Sequence, residues 1–118
     1  MLQFLFHLWG DYIFQTHWMA LNKTKNTLVG WLACLTHCVI YTIPFAFIGS
    51  LNAVLIIFIT HFLIDKFRLA IYLVRLKNSS FTPSGFPEST PDYLSFWLLI
   101  ITDNTLHVTI NYLSLTYL

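Results

Sequence analysis

The chain has 118 residues, 57% of them hydrophobic and 9% charged, with a formal net charge of +1. A soluble domain carries about 25% charged residues, so this is the composition of a membrane protein with room for one domain. The near-neutral balance argues against a nucleic-acid or acidic-substrate surface.

Four apolar stretches follow in order, each able to supply the ~20 residues that cross a bilayer core. The first, residues 2–21, carries His7, Asp11 and Gln15, and ends at the polar run Asn22–Asn26. It has no Lys or Arg before Lys23 and is interrupted by polar residues, so it does not read as a cleavable signal peptide. The second, 28–48, holds Cys34, His37, Cys38 and Tyr41 and closes at Gly49-Ser50. Its two cysteines, one turn apart, suit small apolar packing positions better than a strained disulfide, with metal ligation beside His37 as the alternative. The third, 51–76, is apolar to Ile64 and amphipathic beyond, with His61 and Asp65 near the change. Asn78 to Asp92, with Pro83, Pro87 and Pro91, reads as an exposed loop. The fourth stretch, 93–117, carries Asp103, Asn104 and His107. The predicted fold is an all-α, integral membrane four-helix bundle, one domain over residues 1–118.

All six basic residues fall on one side of this four-span arrangement. Lys23 and Lys25 lie in the first loop, and Lys66, Arg68, Arg75 and Lys77 at the end of the third helix. The positive-inside rule therefore puts both termini on the non-cytoplasmic side and the basic loops in the cytoplasm. Sequons at Asn22 and Asn78 would then face the cytoplasm and carry no meaning. Lys66 and Arg68 are a tension: near Asp65 they must snorkel, or helix three must tilt or protrude.

Three of the five acidic residues sit in apolar stretches, each four residues from a histidine: His7 with Asp11, His61 with Asp65, Asp103 with His107. Four residues is one helical turn, so each pair shares a face. Asp11, His37 and Asp103 lie about ten residues from the basic ends of their spans, ~15 Å at 1.5 Å per residue. Asp65 matches if the third helix is counted to Arg75 rather than to Lys66; if that helix ends early its pair sits shallower. His7, Tyr41, His61 and His107 form a tier one turn further out. Three central carboxylates cost roughly 8–10 kcal/mol at about 2.5–3.5 each. Interhelical hydrogen bonds in membranes average only about 0.6 kcal/mol. A structural zinc can contribute roughly 10–16 kcal/mol, and imidazole with carboxylate suits Zn, Fe or Mn. His7, Asp11, His37, His61, Asp65, Asp103 and His107 are the candidate ligands of a divalent metal, zinc first. They are enough for two ions ~3.5–4 Å apart with a bridging Asp. Gln15 extends the stripe below Asp11, and Gly10 permits close helix approach. Asn104 points in a different direction around its helix from Asp103. His17 and the aromatics Trp9, Trp18, Trp31, Trp97 and Tyr117 suit interfacial or lipid-facing positions.

HLWGDYIFQTHWMALNKTK, a His-centred apolar helix, then HFLID and a final helix with DNTLH, resembles a family of small bacterial and phage membrane proteins. That family is known as a domain of unknown function, number thirty-three-oh-seven. The resemblance spans essentially the whole chain and implies a four-span inner-membrane protein. Its His and Asp positions match His7, Asp11, Gln15, His37, His61, Asp65, Asp103 and His107; it brings no activity. A looser likeness, in residue type only, is to inner-membrane proteins described as metal-dependent hydrolases. HLWGD and HFLID also suggest a faint parallel repeat of two helical hairpins.

The function expected is a membrane protein with a buried His/Asp metal centre, as an enzyme a hydrolase of a lipid or amphiphilic substrate. Asp11, Asp65 and Tyr41 are the candidates for proton transfer there. The rival expectation is a proton, metal-ion or small-solute path, which four helices would line as a homo-oligomer. A third is a small membrane partner of another protein.

Overall fold

Three hydroxyl side chains fix where helices begin. Thr16 accepts a hydrogen bond from the Met19 backbone N–H, Thr27 from Gly30 and Ser50 from Ala53. Each sits in extended backbone and satisfies a donor that the first helical turn leaves free. In a computed structural model describing residues 1–118, the chain is all-α with no strand. Its six helices are α1 (Leu2–Leu8), α2 (His17–Asn22), α3 (Leu28–Thr42), α4 (Leu51–Phe67), α5 (Ala70–Asn78) and α6 (Asp92–Tyr117).

Four uninterrupted helices were expected, and two of them are broken. The first stretch leaves α1 through a π turn at Trp9–Ile13, with the Phe14 N–H bonded to the Trp9 carbonyl at 2.8 Å, and restarts at the Thr16 cap. The third stops at Arg68, which takes the left-handed conformation (φ 51°). Arg68 N–H bonds to the Asp65 carbonyl and Leu69 N–H to the Ile64 carbonyl, the paired closure of a Schellman turn. α3 runs on into a 3-10 turn, Ile43–Phe47, where Pro44 lacks the N–H that would continue it. By length and hydropathy, Leu28–Phe47 alone is a candidate membrane span.

α4 lies at the centre, packed on α3 and on α6; α1 packs on α6, α2 on α3, and α5 on α6. The interior mixes apolar and ionisable groups, and much of the exposed surface is apolar. His7, His37, His61, Asp65, Lys66, His107 and Asn111 are buried, while Leu28, Phe47, Leu51 and many other large apolar side chains are exposed. The only sizeable apolar cluster is Tyr41, Phe45 and Ile57, at the end opposite the basic loops. The loop after α5 folds back on it: Asn78 Nδ2 donates to the Gly85 carbonyl, and Gly85 (φ 75°) lies against Val74. Cys34 and Cys38 are free thiols, both buried.

The π turn brings the α1 backbone onto Tyr41. A Cβ added at Gly10 would lie 2.4 Å from Tyr41 Cδ2, so only glycine fits without moving the ring. Gly10→Ala is expected to destabilise the protein by about 1–3 kcal/mol, the range for overpacking. Denaturant or thermal unfolding in detergent checks this; a wild-type midpoint would contradict the close approach.

Candidate metal centre

Three elements deliver one cluster: the π turn supplies Asp11, α3 supplies His37, and α4 supplies His61 and Asp65 one turn apart. One ligand atom from each lies within 4.8 Å of the others. His37 Nε2 is 3.2 Å from Asp11 Oδ1, 3.1 Å from Asp65 Oδ2 and 3.0 Å from His61 Nε2. His61 Nε2 is 3.4 Å from Asp11 Oδ1 and 3.5 Å from Asp65 Oδ2. Asp11 Oδ1 is buried and no hydrogen bond satisfies it; His37, though near, approaches off the line of one. A second set, Asp65, Asp103 and His107, shares Asp65. There His107 Nε2 lies 3.2 Å from Asp65 Oδ1 and 3.6 Å from Asp103 Oδ2.

Proton counting orders these rings. A neutral imidazole has one donor and one acceptor nitrogen. Asp65 Oδ1 as a carboxylate only accepts, so His107 donates to it through Nε2 and keeps a lone pair on Nδ1. His61 Nδ1, 3.0 Å from His107 Nδ1, then donates, which leaves the His61 Nε2 lone pair facing Asp11 and His37. The Tyr41 ring stacks on His61 at 3.6 Å between centroids and 19° between planes, fixing the imidazole plane. His107 thus orients His61 as an outer partner commonly orients a metal-binding histidine.

His7 belongs to neither set. Its Nε2 donates to Asn104 Oδ1 at 2.7 Å, and its Nδ1 accepts from the Tyr41 hydroxyl at 2.9 Å. Asn111 Nδ2 donates to that same hydroxyl at 2.7 Å, so the Tyr41 O–H is held between two partners rather than directed at the cluster. Asp11 Oδ2 is 3.4 Å from His7 Nδ1. The two tiers expected from sequence therefore mix: His61 joins Asp11 and His37, while Asp103 sits aside with His107. Gln15 Nε2 donates to the Asp11 carbonyl, and its Oε1 is buried without a partner.

Several contacts could not be read from the pairs. Asn104 differs in direction from Asp103 as expected, but α1 approaches α6 from that flank, so it meets His7. Asn111 continues the Asp103, His107 spacing by one more turn, a signal present in the sequence. Lys23, read only as a loop charge, places Nζ 2.6 Å from Asp65 Oδ2. Burial alone would lower the Lys23 pKa, but the neighbouring Asp65 carboxylate reverses this and holds it above the ordinary lysine value. Lys66 does not snorkel; its Nζ turns inward onto the Lys23 and Lys25 carbonyls. Beside the cluster lies an open cleft of about 240 Å³, lined by Asp11, Gln15, Lys23, Asp65, Arg68 and Asp103 among others.

Residues 1–117 match the model of a family described as "Protein of unknown function (DUF3307)". No curated protein and no solved structure matches the chain, so the looser likeness to membrane hydrolases finds no counterpart.

Proposed function

The chain belongs to this family of unknown function, and on that footing we propose that it is an integral membrane protein whose His/Asp centre holds one divalent metal and hydrolyses an amphiphilic substrate. The observation that carries the reading is the geometry of Asp11, His37, His61 and Asp65. A tetrahedral ion with ligands ~2.1 Å away has ligand–ligand edges of about 3.4 Å. Five of the six separations among these donor atoms, 3.0, 3.1, 3.2, 3.4 and 3.5 Å, cluster around that edge, and the Asp11–Asp65 separation is within 4.8 Å. An ion there would also answer the unpartnered Asp11 Oδ1. Zinc is the first candidate; iron and manganese accept the same donors.

The shared proton favours one ion over two. Only one hydrogen fits between His61 Nδ1 and His107 Nδ1 at 3.0 Å. If both Nε2 atoms bound metal, both Nδ1 atoms would carry hydrogens pointing at each other. His107 and His7 then serve as orienting groups, and Asp103 as the carboxylate left free in the cleft. The distribution of polarity supports the membrane reading: ionisable groups face the interior and many large apolar side chains face out. The basic loops would lie on the cytoplasmic side of a bacterial inner membrane.

A bound ion would supply an activated water near neutral pH. Asp103, in the cleft and 3.6 Å from His107, would take that water's proton and return it to the leaving group. Asp11 and Asp65 hold the centre in place. Hydrolysis of chromogenic alkyl esters and phosphates in detergent is expected to stop on chelation and return with zinc. Asp103→Asn is expected to lower the rate 10²–10⁴-fold with metal content unchanged. Undiminished hydrolysis by metal-free protein would overturn the reading.

The rival transport reading has one observation of its own. His37, His61 and His107 are joined ring nitrogen to ring nitrogen at 3.0 Å, a chain along which protons can pass. Metal-free protein that carries protons across liposomes, with loss in Asp11→Asn, would favour it.

A further inference from the structure

Arg68 stands where a helix end ordinarily has glycine. At the left-handed position of a Schellman turn, a side chain with a Cβ is strained and glycine is not. The guanidinium enters none of the chain's hydrogen bonds or ion pairs, and Arg68 is one of the residues lining the cleft beside the metal centre. Strain of this kind at a cleft points to a role for the side chain. Lys23 lines the same cleft, held by its Asp65 contact and by the Lys66 grip on its carbonyl.

A second cavity adjoins the first. A groove of about 470 Å³ between α1 and α6 shares Tyr12, Ile100 and Asn104 with the cleft, and its lining is mostly apolar. From Tyr12 it steps back to Leu8 and Phe4, and from Asn104 forward to Val108. α1 and α6 run in opposite directions in the four-span arrangement, so these two steps lead away from the Lys/Arg side, while Trp97, Ile100 and Ile101 extend the groove toward it.

We propose that the cleft binds the phosphate headgroup of a single-chain amphiphile, with Arg68 and Lys23 on the phosphate and the hydrocarbon chain in the α1/α6 groove. This rests on the membrane metal-centre reading and narrows its substrate class. An ion of charge +2 neutralises Asp11 and Asp65, so Lys23 and Arg68 outweigh Asp103 and the loaded cleft is cationic. Arginine matches phosphate through a planar fork of donors, which explains retaining it at a strained position. The unpartnered Gln15 Oε1 offers an acceptor to a hydroxyl on the headgroup.

The test is calorimetric titration of metal-loaded protein in maltoside micelles with inorganic phosphate, butyl phosphate, octyl phosphate and octanol. Octyl phosphate is expected to bind at least tenfold more tightly than octanol or inorganic phosphate, with butyl phosphate between. Arg68→Gly is the decisive variant, because glycine suits the turn. It is expected to unfold at a higher temperature than wild type and to bind octyl phosphate at least tenfold more weakly. Val108→Trp, which fills the groove, is expected to erase the dependence on chain length and leave inorganic phosphate binding intact. Equal binding of octanol and octyl phosphate, or wild-type affinity in Arg68→Gly, would sink the headgroup assignment. Affinity independent of chain length would sink the groove. Metal content of the same samples separates the two ideas: metal without phosphate preference rejects this proposal alone. Phosphate preference in protein that takes up no metal rejects the metal centre and, with it, the charge balance assigned to the loaded cleft.

Discussion

Protein purified in detergent without chelator is expected to carry close to one divalent ion per chain, and His61→Ala or Asp65→Ala to carry none. The two residues sit one turn apart on α4 and supply two of the four donors in the compact set. Removing either leaves three donors and an opened edge. His107→Ala removes no ligand from that set, but it takes away the Nδ1 lone pair that accepts from His61 Nδ1–H and so holds the His61 Nε2 lone pair inward. Loss of such an outer partner lowers metal affinity about 10–100-fold, so this variant should lose metal only at low free-metal concentration. Asp103→Asn is the control, since Asp103 belongs to the set built around His107 and should keep wild-type occupancy. Elemental analysis beside protein concentration reads all four. Two ions per chain would refute the shared-proton argument, and loss in Asp103→Asn and His107→Ala with full occupancy in His61→Ala would move the ion to the other set.

The pairs His7–Asp11, His61–Asp65 and Asp103–His107 were legible because a four-residue spacing needs only helical geometry. That they converge across helices was legible from depth, since ionisable groups in apolar stretches have few places to go. Which of them share one point was not. Depth along parallel axes assumes straight helices, and the π turn after α1 and the left-handed stop at Arg68 break that assumption. Neither break has a strong local signal: Gly10 alone hints at the first, and an arginine at a glycine position conceals the second. Rotation about each axis was also hidden. His7 and Asp11 share a face, yet His7 is held by Asn104 and Tyr41 because α6 and α3 close on it from either side. The lysines were misread for a different reason. Charge counting treats them as topology markers, and only the folded loop shows that Lys23 reaches Asp65 and that Lys66 reaches the loop's backbone.

Lys66→Met is expected to destabilise the protein by about 2–4 kcal/mol. The Lys66 ammonium is buried, 3.2 Å from the Lys23 carbonyl and 2.6 Å from the Lys25 carbonyl, with the Trp31 ring 4.5 Å above it. A hydrogen bond from a charged donor is worth about 1.5–3 kcal/mol, and a cation over an aromatic face about 0.5–2. Two such bonds and the aromatic contact sum to about 3.5–8 kcal/mol, and the expected loss lies at and below the foot of that range because the loop lies near solvent and water can replace the ammonium at its carbonyls. Methionine retains the stem's packing, so the change isolates the charge. The same loop has no slack on its other side, where a Cβ at Gly30 would lie 2.0 Å from the Lys25 carbonyl oxygen. It is therefore clamped between α3 and α4, and the clamp sets where Lys23 stands. Lys66→Met should consequently weaken octyl phosphate binding through Lys23 while leaving metal content at the wild-type level. Lys25→Met is the comparison, because that exposed side chain reaches only Asn22 and should change stability by less than about 0.5 kcal/mol. Unfolding midpoints of the two variants in one detergent decide the point. Equal midpoints would mean that Lys66 is an ordinary surface charge, and the loop, with Lys23 on it, would have no fixed place beside the cluster.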